Sequence, residues 1–383
     1  MTAATLNRPD MPIEAQDALL KHQVPLIGLD DACRGCSELD QDDHVDGYPS
    51  GFDIDLDSVM LGSVKPYGRQ ILIATGKSDW EREVTDSGLP SYIKDANERL
   101  QSTNKLAGGG GGLFDKLTSK LKRTDSGRTT PKKVYDGVFD SASQLDRRDE
   151  RTLADTRLSI VSASFQSSSP KDEQQSVIVL PDYKIVQGVA QTKQAAQDLV
   201  QSYLDPTIGR TGLEIPAQTA NELQSWPLPY SAVVLICSHK RRDKRCHIAA
   251  PLLIDQFHRH LSQKDFEVDE RGDDIHCPTD DSIESWPADV RNDKFDDALR
   301  GVKTNGTGAS RVALWKISHI GGHRYAGNVI IYLPNGTSVW YGRVTPKDVG
   351  AIVEATIVKG KVIKEFLRGG MGLTGRQDSI LSW

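Results

Sequence analysis

Long hydrophobic runs are missing from this chain of 383 residues. No apolar stretch approaches the roughly 20 residues that a bilayer-spanning helix needs, so no membrane association is expected. The opening Met1-Thr-Ala-Ala-Thr-Leu-Asn-Arg-Pro-Asp10 lacks an apolar signal core and soon turns acidic, which argues against a secretory or mitochondrial leader. Cysteine is scarce and odd in number, at five, too few for a disulfide framework and better suited to a reducing compartment. An excess of positive charge is absent as well. With a net charge of -6 and a pI near 5.9, nucleic-acid binding gains no support. These absences point to the cytoplasm and to a chain with neither nucleic-acid nor membrane partner.

What remains is organised as two packed halves. Residues 1–65 read as a polar, largely extended lead-in containing Cys33-Arg-Gly-Cys36. An N-terminal α/β domain follows over 66–205. It has strands at 69–75 and 157–164, a strand–Pro-Asp turn–strand unit at 176–188, and helices at 89–100 and 192–204. Its composition breaks at Gly108 to Gly112 and at the Ser/Thr/Lys/Arg-rich run 116–133, so about 103–133 reads as a flexible insertion with room for a short helix at 113–121. A proline-punctuated linker, 206–229, leads to a second domain over 230–368, and 369–383 forms a glycine-rich tail. Within the second domain the polar stretch 269–310 reads as a surface insertion. Val177-Ile-Val-Leu-Pro…Gly188 is echoed by Val329-Ile-Ile-Tyr-Leu-Pro…Gly342, and a helix follows each. The order strand, helix, strands, helix in both halves fits two thioredoxin-like α/β layers side by side.

Two loops of the second half carry the chemistry. Cys237-Ser-His-Lys-Arg-Arg-Asp-Lys-Arg-Cys246 follows the apolar run 232–236, and His319-Ile-Gly-Gly-His323 follows the run 312–317. Each loop lies just past a buried strand, so adjacent strand ends would bring two thiols and two imidazoles together. Those donors suit zinc or an iron–sulfur cluster rather than magnesium or calcium. The basic residues between the cysteines and the helix start at Cys246 are expected to lower both thiol pKa values. Zinc fingers usually place two to four residues between cysteines, whereas eight intervene here, 238 to 245. A wide basic loop suits a larger two-iron core, and Rieske centres show two histidines replacing two cysteines on one iron. On residue types alone both metals stay open. His239 and His247 lie beside the cysteines, where they could support the ligands from behind, but exposed loop histidines is the preferred reading. His276-Cys277 is a less favoured second site, with Cys277 an ordinary thiol.

The stretches 237–246, 317–332 and Trp340-Tyr-Gly-Arg-Val-Thr-Pro346 resemble the sucrase/ferredoxin-like proteins. A looser likeness in the first half runs through Tyr67-Gly-Arg-Gln-Ile-Leu-Ile and Val179-Leu-Pro-Asp182. The resemblance implies a thioredoxin-like ferredoxin domain with a bis-histidinyl 2Fe-2S cluster. Carried over residue by residue, Cys237 and Cys246 would hold one iron, and His319 and His323 the other. It also implies a redox protein with an unknown redox partner rather than a substrate-turning enzyme; because each ligating imidazole would keep a second nitrogen able to bind a proton, one-electron transfer coupled to a proton is expected. No paired-carboxylate glycosidase arrangement can be picked out to match the sucrase half of the family's name. At the carboxyl end Leu381, Ser382 and Trp383 resemble the tripeptide by which client proteins engage the cytosolic iron–sulfur assembly targeting complex, which favours the cytosolic branch of the family. The rival readings are a structural zinc protein and a thiol–disulfide oxidoreductase using Cys33 and Cys36 or Cys237.

Overall fold

The computed structural model describes residues 11–33, 47–107, 138–139, 157–169, 171, 173–206, 208–211, 223–273, 275, 277–278, 281–304 and 310–373. Its lead-in is more ordered than the acidic composition suggests. Helix α1 (Ile13–Lys21) buries Ala15 and Leu19, and β1 (Leu26–Ile27) pairs in parallel with a late strand, β12 (Val362–Ile363). The signal was easily missed, because Met11, Ala15 and Leu19 are a short apolar stripe among charged neighbours.

The first half contains β2 (Arg69–Ala74), α2 (Gly88–Ala107), β3 (Leu158–Ala163), β4 (Gln174–Leu180), β5 (Lys184–Ala190) and α3 (Lys193–Leu199). The edge strand β6 (Gln224–Pro227) then pairs with β5. It sits inside the stretch read as a linker, and it tolerates Pro227 because a strand's last residue at a sheet edge needs no ladder donor. The second half contains β7 (Ala232–Cys237), α4 (Lys244–Gln263), β8 (Glu267–Asp269), β9 (Arg311–Ile317), β10 (Val329–Tyr332), β11 (Ser338–Tyr341), α5 (Val349–Ile352) and, beyond β12, β13 (Leu367–Met371).

One mixed sheet runs through both halves in the order β13-β11-β10-β7-β9-β3-β2-β4-β5-β6, with the two-residue strand Val138–Phe139 beyond β13 and β8 beside β9. The pairing rules repeat. β2 is parallel to β3 and antiparallel to β4, which is antiparallel to β5. In the same way β7 is parallel to β9 and antiparallel to β10, which is antiparallel to β11. The fold is therefore mixed α/β, consistent with the thioredoxin-like expectation. The strands read as continuous apolar runs because both faces are covered. In β7, Val234 and Ile236 face α4, while Val233 and Leu235 enter a cluster shared with β2 residues Leu72 and Ala74. Each such side chain contributes roughly 1.5–3 kcal/mol by leaving water. Ile283, Trp286, Phe295 and Leu299 join the shared cluster, so the stretch 269–310 is in part core rather than a surface insertion.

The halves meet at strand ends. β3 and β9 pair antiparallel at Ala163 and Ile317, the last residue of each. Ser318 N–H donates to Ser162 O at 2.8 Å and Ser164 N–H to Lys316 O at 2.9 Å. Because both chains leave the sheet there, the loop after β2 and the loop after β7 emerge side by side. That placement builds the site described next. No helix among the described residues is long and apolar enough to cross a membrane.

Candidate metal centre

Cys237 ends β7 in register with Ile317 of β9, so the chain enters both candidate loops from neighbouring strands. His239 O accepts from the N–H groups of Arg242 and Asp243 at 3.2 and 3.0 Å, closing the first loop into a tight turn. Asp243 then caps α4, its Oδ1 accepting from Arg245 N at 2.9 Å. The helix consequently carries Cys246 on its buried side, in line with Ala249, Ala250 and Leu253. In the second loop Gly321 and Gly322 have φ of 82° and 69°. Successive left-handed residues fold the backbone back so that His323 returns toward His319, and only glycine adopts them cheaply.

The four side chains come together as two pairs. The Cys237 thiol is hydrogen-bonded to Cys246 and to the His319 side chain. The His319 and His323 rings lie 5.5 Å apart, tilted by 37°. His319 Nδ1 is buried without a hydrogen-bond partner. Both cysteines are buried, His319 is half-buried and His323 is exposed. Among the described residues no three His, Cys, Asp or Glu side chains are grouped as the ligands of a single ion would be. Cys237, Cys246 and Cys277 are free thiols.

The electrostatics divide the thiols rather than treating them alike. Hydrogen bonding from Cys246, and then from His319, holds Cys237 well below the usual thiol range despite its burial. Cys246 is raised instead, first by its bond to Cys237 and then by burial and the neighbouring thiolate charge. The expectation of two lowered thiols thus holds for Cys237 only. The intervening cations are largely committed elsewhere. Arg241 pairs with Glu81 and approaches Asp79 at 3.9 Å, Arg242 pairs with Glu83, and Arg245 binds Asp243 at 2.9 Å. Desolvation, and next the His319 ring among the groups that lower it, put His323 below its ordinary value, although Asp243 opposes them.

His239 is not the exposed loop residue that its charged neighbours suggest. It is buried, with its Nε2 2.9 Å from Trp80 O and its Nδ1 accepting from His319 N–H at 3.2 Å. Since Nδ1 accepts, Nε2 carries the proton, and one imidazole ties the first half's loop to the second histidine loop. His247 is half-buried and takes no part in this bonding. Burial pushes the Cys277 thiol up to about 12, as suits an ordinary thiol. Cys33 is exposed at the end of the short helix Leu29–Cys33. Cys36, His276 and the insertion around 108–133 lie outside the described residues, and so do Leu381, Ser382 and Trp383 of the carboxyl-terminal tripeptide.

Two neighbours escaped the sequence reading. Arg368 of β13 reaches Gly321 O at 3.4 Å and Asn328 Oδ1 at 2.7 Å, and Asn328 Nδ2 donates to Gly322 O at 3.0 Å. The only local signal was an arginine standing among apolar and glycine residues. A Cβ on Gly322 would lie 2.3 Å from Arg368 Nη2, whereas one on Gly321 would meet nothing within 4 Å. Gly321→Ala should therefore cost only the left-handed strain, about 1–2 kcal/mol. Gly322→Ala should cost about 1 kcal/mol more, since the guanidinium must also move. Urea unfolding of both variants measures the difference.

A model of the sucrase/ferredoxin-like family matches residues 60–369. Over 321 residues the chain is 27% identical to altered inheritance of mitochondria protein 32 of Clavispora lusitaniae, covering 81% of this chain and 99% of that protein. It is 34% identical over 139 residues to the protein of the same name from Debaryomyces hansenii, covering 36% of this chain and 35% of that one. It is 38% identical over 128 residues to actin patches distal protein 1 of Saccharomyces cerevisiae, covering 33% and 30% respectively. The chain thus spans nearly all of the first relative and about a third of each of the others. No solved structure matches it.

Proposed function

Since the chain belongs to the sucrase/ferredoxin-like family, we propose that it is a one-electron carrier whose Cys237, Cys246, His319 and His323 hold a 2Fe-2S cluster. The observation that carries this reading is the meeting of a thiol pair and an imidazole pair at the ends of two central strands, around a buried His319 Nδ1 that lacks a partner. Buried polar atoms are seldom left unpaired, so the site is chemically incomplete as it stands. Two sulfur and two nitrogen donors fit a two-iron core with one pair on each iron, which asks for no group of three around one ion.

When bound, such a cluster supplies reversible one-electron reduction, at roughly −150 to +300 mV with two histidines against about −400 mV for plant-type all-cysteine ferredoxins. The chain's own residues prepare for it. Cys237 gives up its proton readily, and Cys246 parts with its own only when a metal takes the proton's place. Burial of both cysteines keeps water from the sulfur side. His239 fixes the backbone of His319 and thereby the direction of that ring. His323, exposed, offers the face for electron exchange, and its nitrogen not used for ligation holds a proton that solvent can exchange. The free Cys237, Cys246 and Cys277 agree with a reducing compartment, and we take the cytosol as the place of action. The tripeptide Leu381, Ser382 and Trp383 would there serve as the handle by which the cytosolic assembly machinery takes hold of the chain.

Anaerobic purification tests the reading. Red-brown protein with about two irons and two sulfides per chain, and an EPR signal on reduction, is the expected result. Colourless protein carrying zinc would overturn it in favour of a structural metal.

A further inference from the structure

The side chain of Arg368 is 1% exposed, yet every acceptor it reaches is neutral: Ser63 Oγ at 3.1 Å, Asn328 Oδ1 at 2.7 Å and Gly321 O at 3.4 Å. Among the described residues no carboxylate lies within ion-pairing distance of it. A guanidinium keeps its proton under any ordinary condition, so the charge is present and buried. A buried charge without a counter-charge is costly, and hydrogen bonds to neutral groups offset only part of that cost.

The pocket is nevertheless built for this group. A Cβ at Gly322 would stand 2.3 Å from Nη2, and one at Gly342 would stand 2.8 Å from Cδ of the same side chain. The Tyr325 and Trp340 rings flank the guanidinium at 5.7 and 6.0 Å from their centroids. Residues from the lead-in, the histidine loop and the edge of the sheet all converge on one cation. Asn328 joins it to the sulfur side: its backbone O accepts from Cys237 N–H at 3.1 Å while its Oδ1 accepts from Arg368 Nη1 at 2.7 Å.

We propose that Arg368 is the positioning residue that supplies the counter-charge to the sulfur side of the metal site, favouring the state in which that site carries the extra electron. This rests on the cluster reading and deepens it. Negative charge on the Cys237–Cys246 side completes a pair that the protein leaves open, and the same guanidinium tethers the histidine loop through Gly321 O. An added electron is then stabilised by a fixed positive charge that costs no rearrangement when the electron arrives.

The test is a spectroelectrochemical titration of the full-length, cluster-loaded protein and its variants. Arg368→Gln keeps hydrogen-bonding capacity and removes the charge, whereas Arg368→Lys keeps the charge and changes the shape. Arg368→Gln should retain its iron and sulfide while the reduced form becomes at least tenfold harder to populate, a negative shift of about 59 mV for a one-electron couple. Arg368→Lys should shift by less than half as much. A purely structural tie predicts the opposite pattern, with both variants losing iron and neither loaded fraction changing potential. An unshifted Arg368→Gln overturns the proposal. If Arg368→Gln does not load, loading by Arg368→Lys at the wild-type potential supports it, and failure of Arg368→Lys overturns it. Wild-type protein without iron would instead sink the cluster reading itself.

Discussion

Cys237→Ser protein should purify colourless, its iron falling from about two per chain to almost none, while its far-UV circular dichroism stays that of the wild type. Serine is nearly isosteric and can keep a hydrogen bond to Cys246 or His319, so the fold should lose only about 1 kcal/mol. Metal binding has no such reserve. A serine hydroxyl does not ionise near neutral pH and is a hard donor, a poor replacement for a thiolate on iron. Nor can another thiol step in, because Cys237 is fixed by the ladder to β9 and β10 and Cys277 belongs to a different part of the core. Iron and sulfide analysis beside a circular dichroism spectrum checks both halves of the expectation. Full iron content in this variant would remove Cys237 from the ligand set.

His323→Cys should do something different: keep the colour and lower the potential. The exposed position gives a thiolate room to replace the imidazole without disturbing the core. The replacement adds a negative charge on one iron, which opposes reduction. The potential should move from the range of histidine-ligated centres toward that of all-cysteine ones, by on the order of 100 mV or more. Its pH dependence should weaken too. Reduction raises the proton affinity of a ligating imidazole, so a proton is taken up with the electron and the wild-type potential falls as pH rises. The limiting slope is about 59 mV per pH unit for each proton coupled to one electron. Removing one of the two imidazoles removes its share of that slope. Potentials measured from pH 6 to 9 decide the matter, and an unchanged potential with an unchanged slope would put histidine ligation in doubt.

The parts of this site that the sequence made legible are those whose cause is local. β7 and β9 are mostly apolar because both faces are covered, so Cys237 and His319 could be placed at or just beyond the ends of buried strands. The paired glycines announced a folded-back loop. What could not be read depends on distant segments. His239 looks exposed between Ser238 and Lys240, and it is buried only because Trp80, 159 residues earlier, lies over it. Arg368 acquires its role through Ser63, 305 residues away, and through the space left by Gly322 and Gly342. The split between Cys237 and Cys246 was missed for a related reason: it comes from the bond between the two thiols and from their burial, which only the packing of α4 against β7 creates.

The meeting of the halves at the ends of β3 and β9 has a consequence for how labour is divided between them. The same topology occurs twice, so the turn beyond β2 is the positional twin of the turn bearing the cysteines. On the proposed reading one twin supplies the sulfur donors. The other, lacking cysteine and histidine, lies over it as a roof pinned by Trp80 and a fringe of carboxylates. A repeat without those donors thus becomes, on that reading, the shelter of the one that has them.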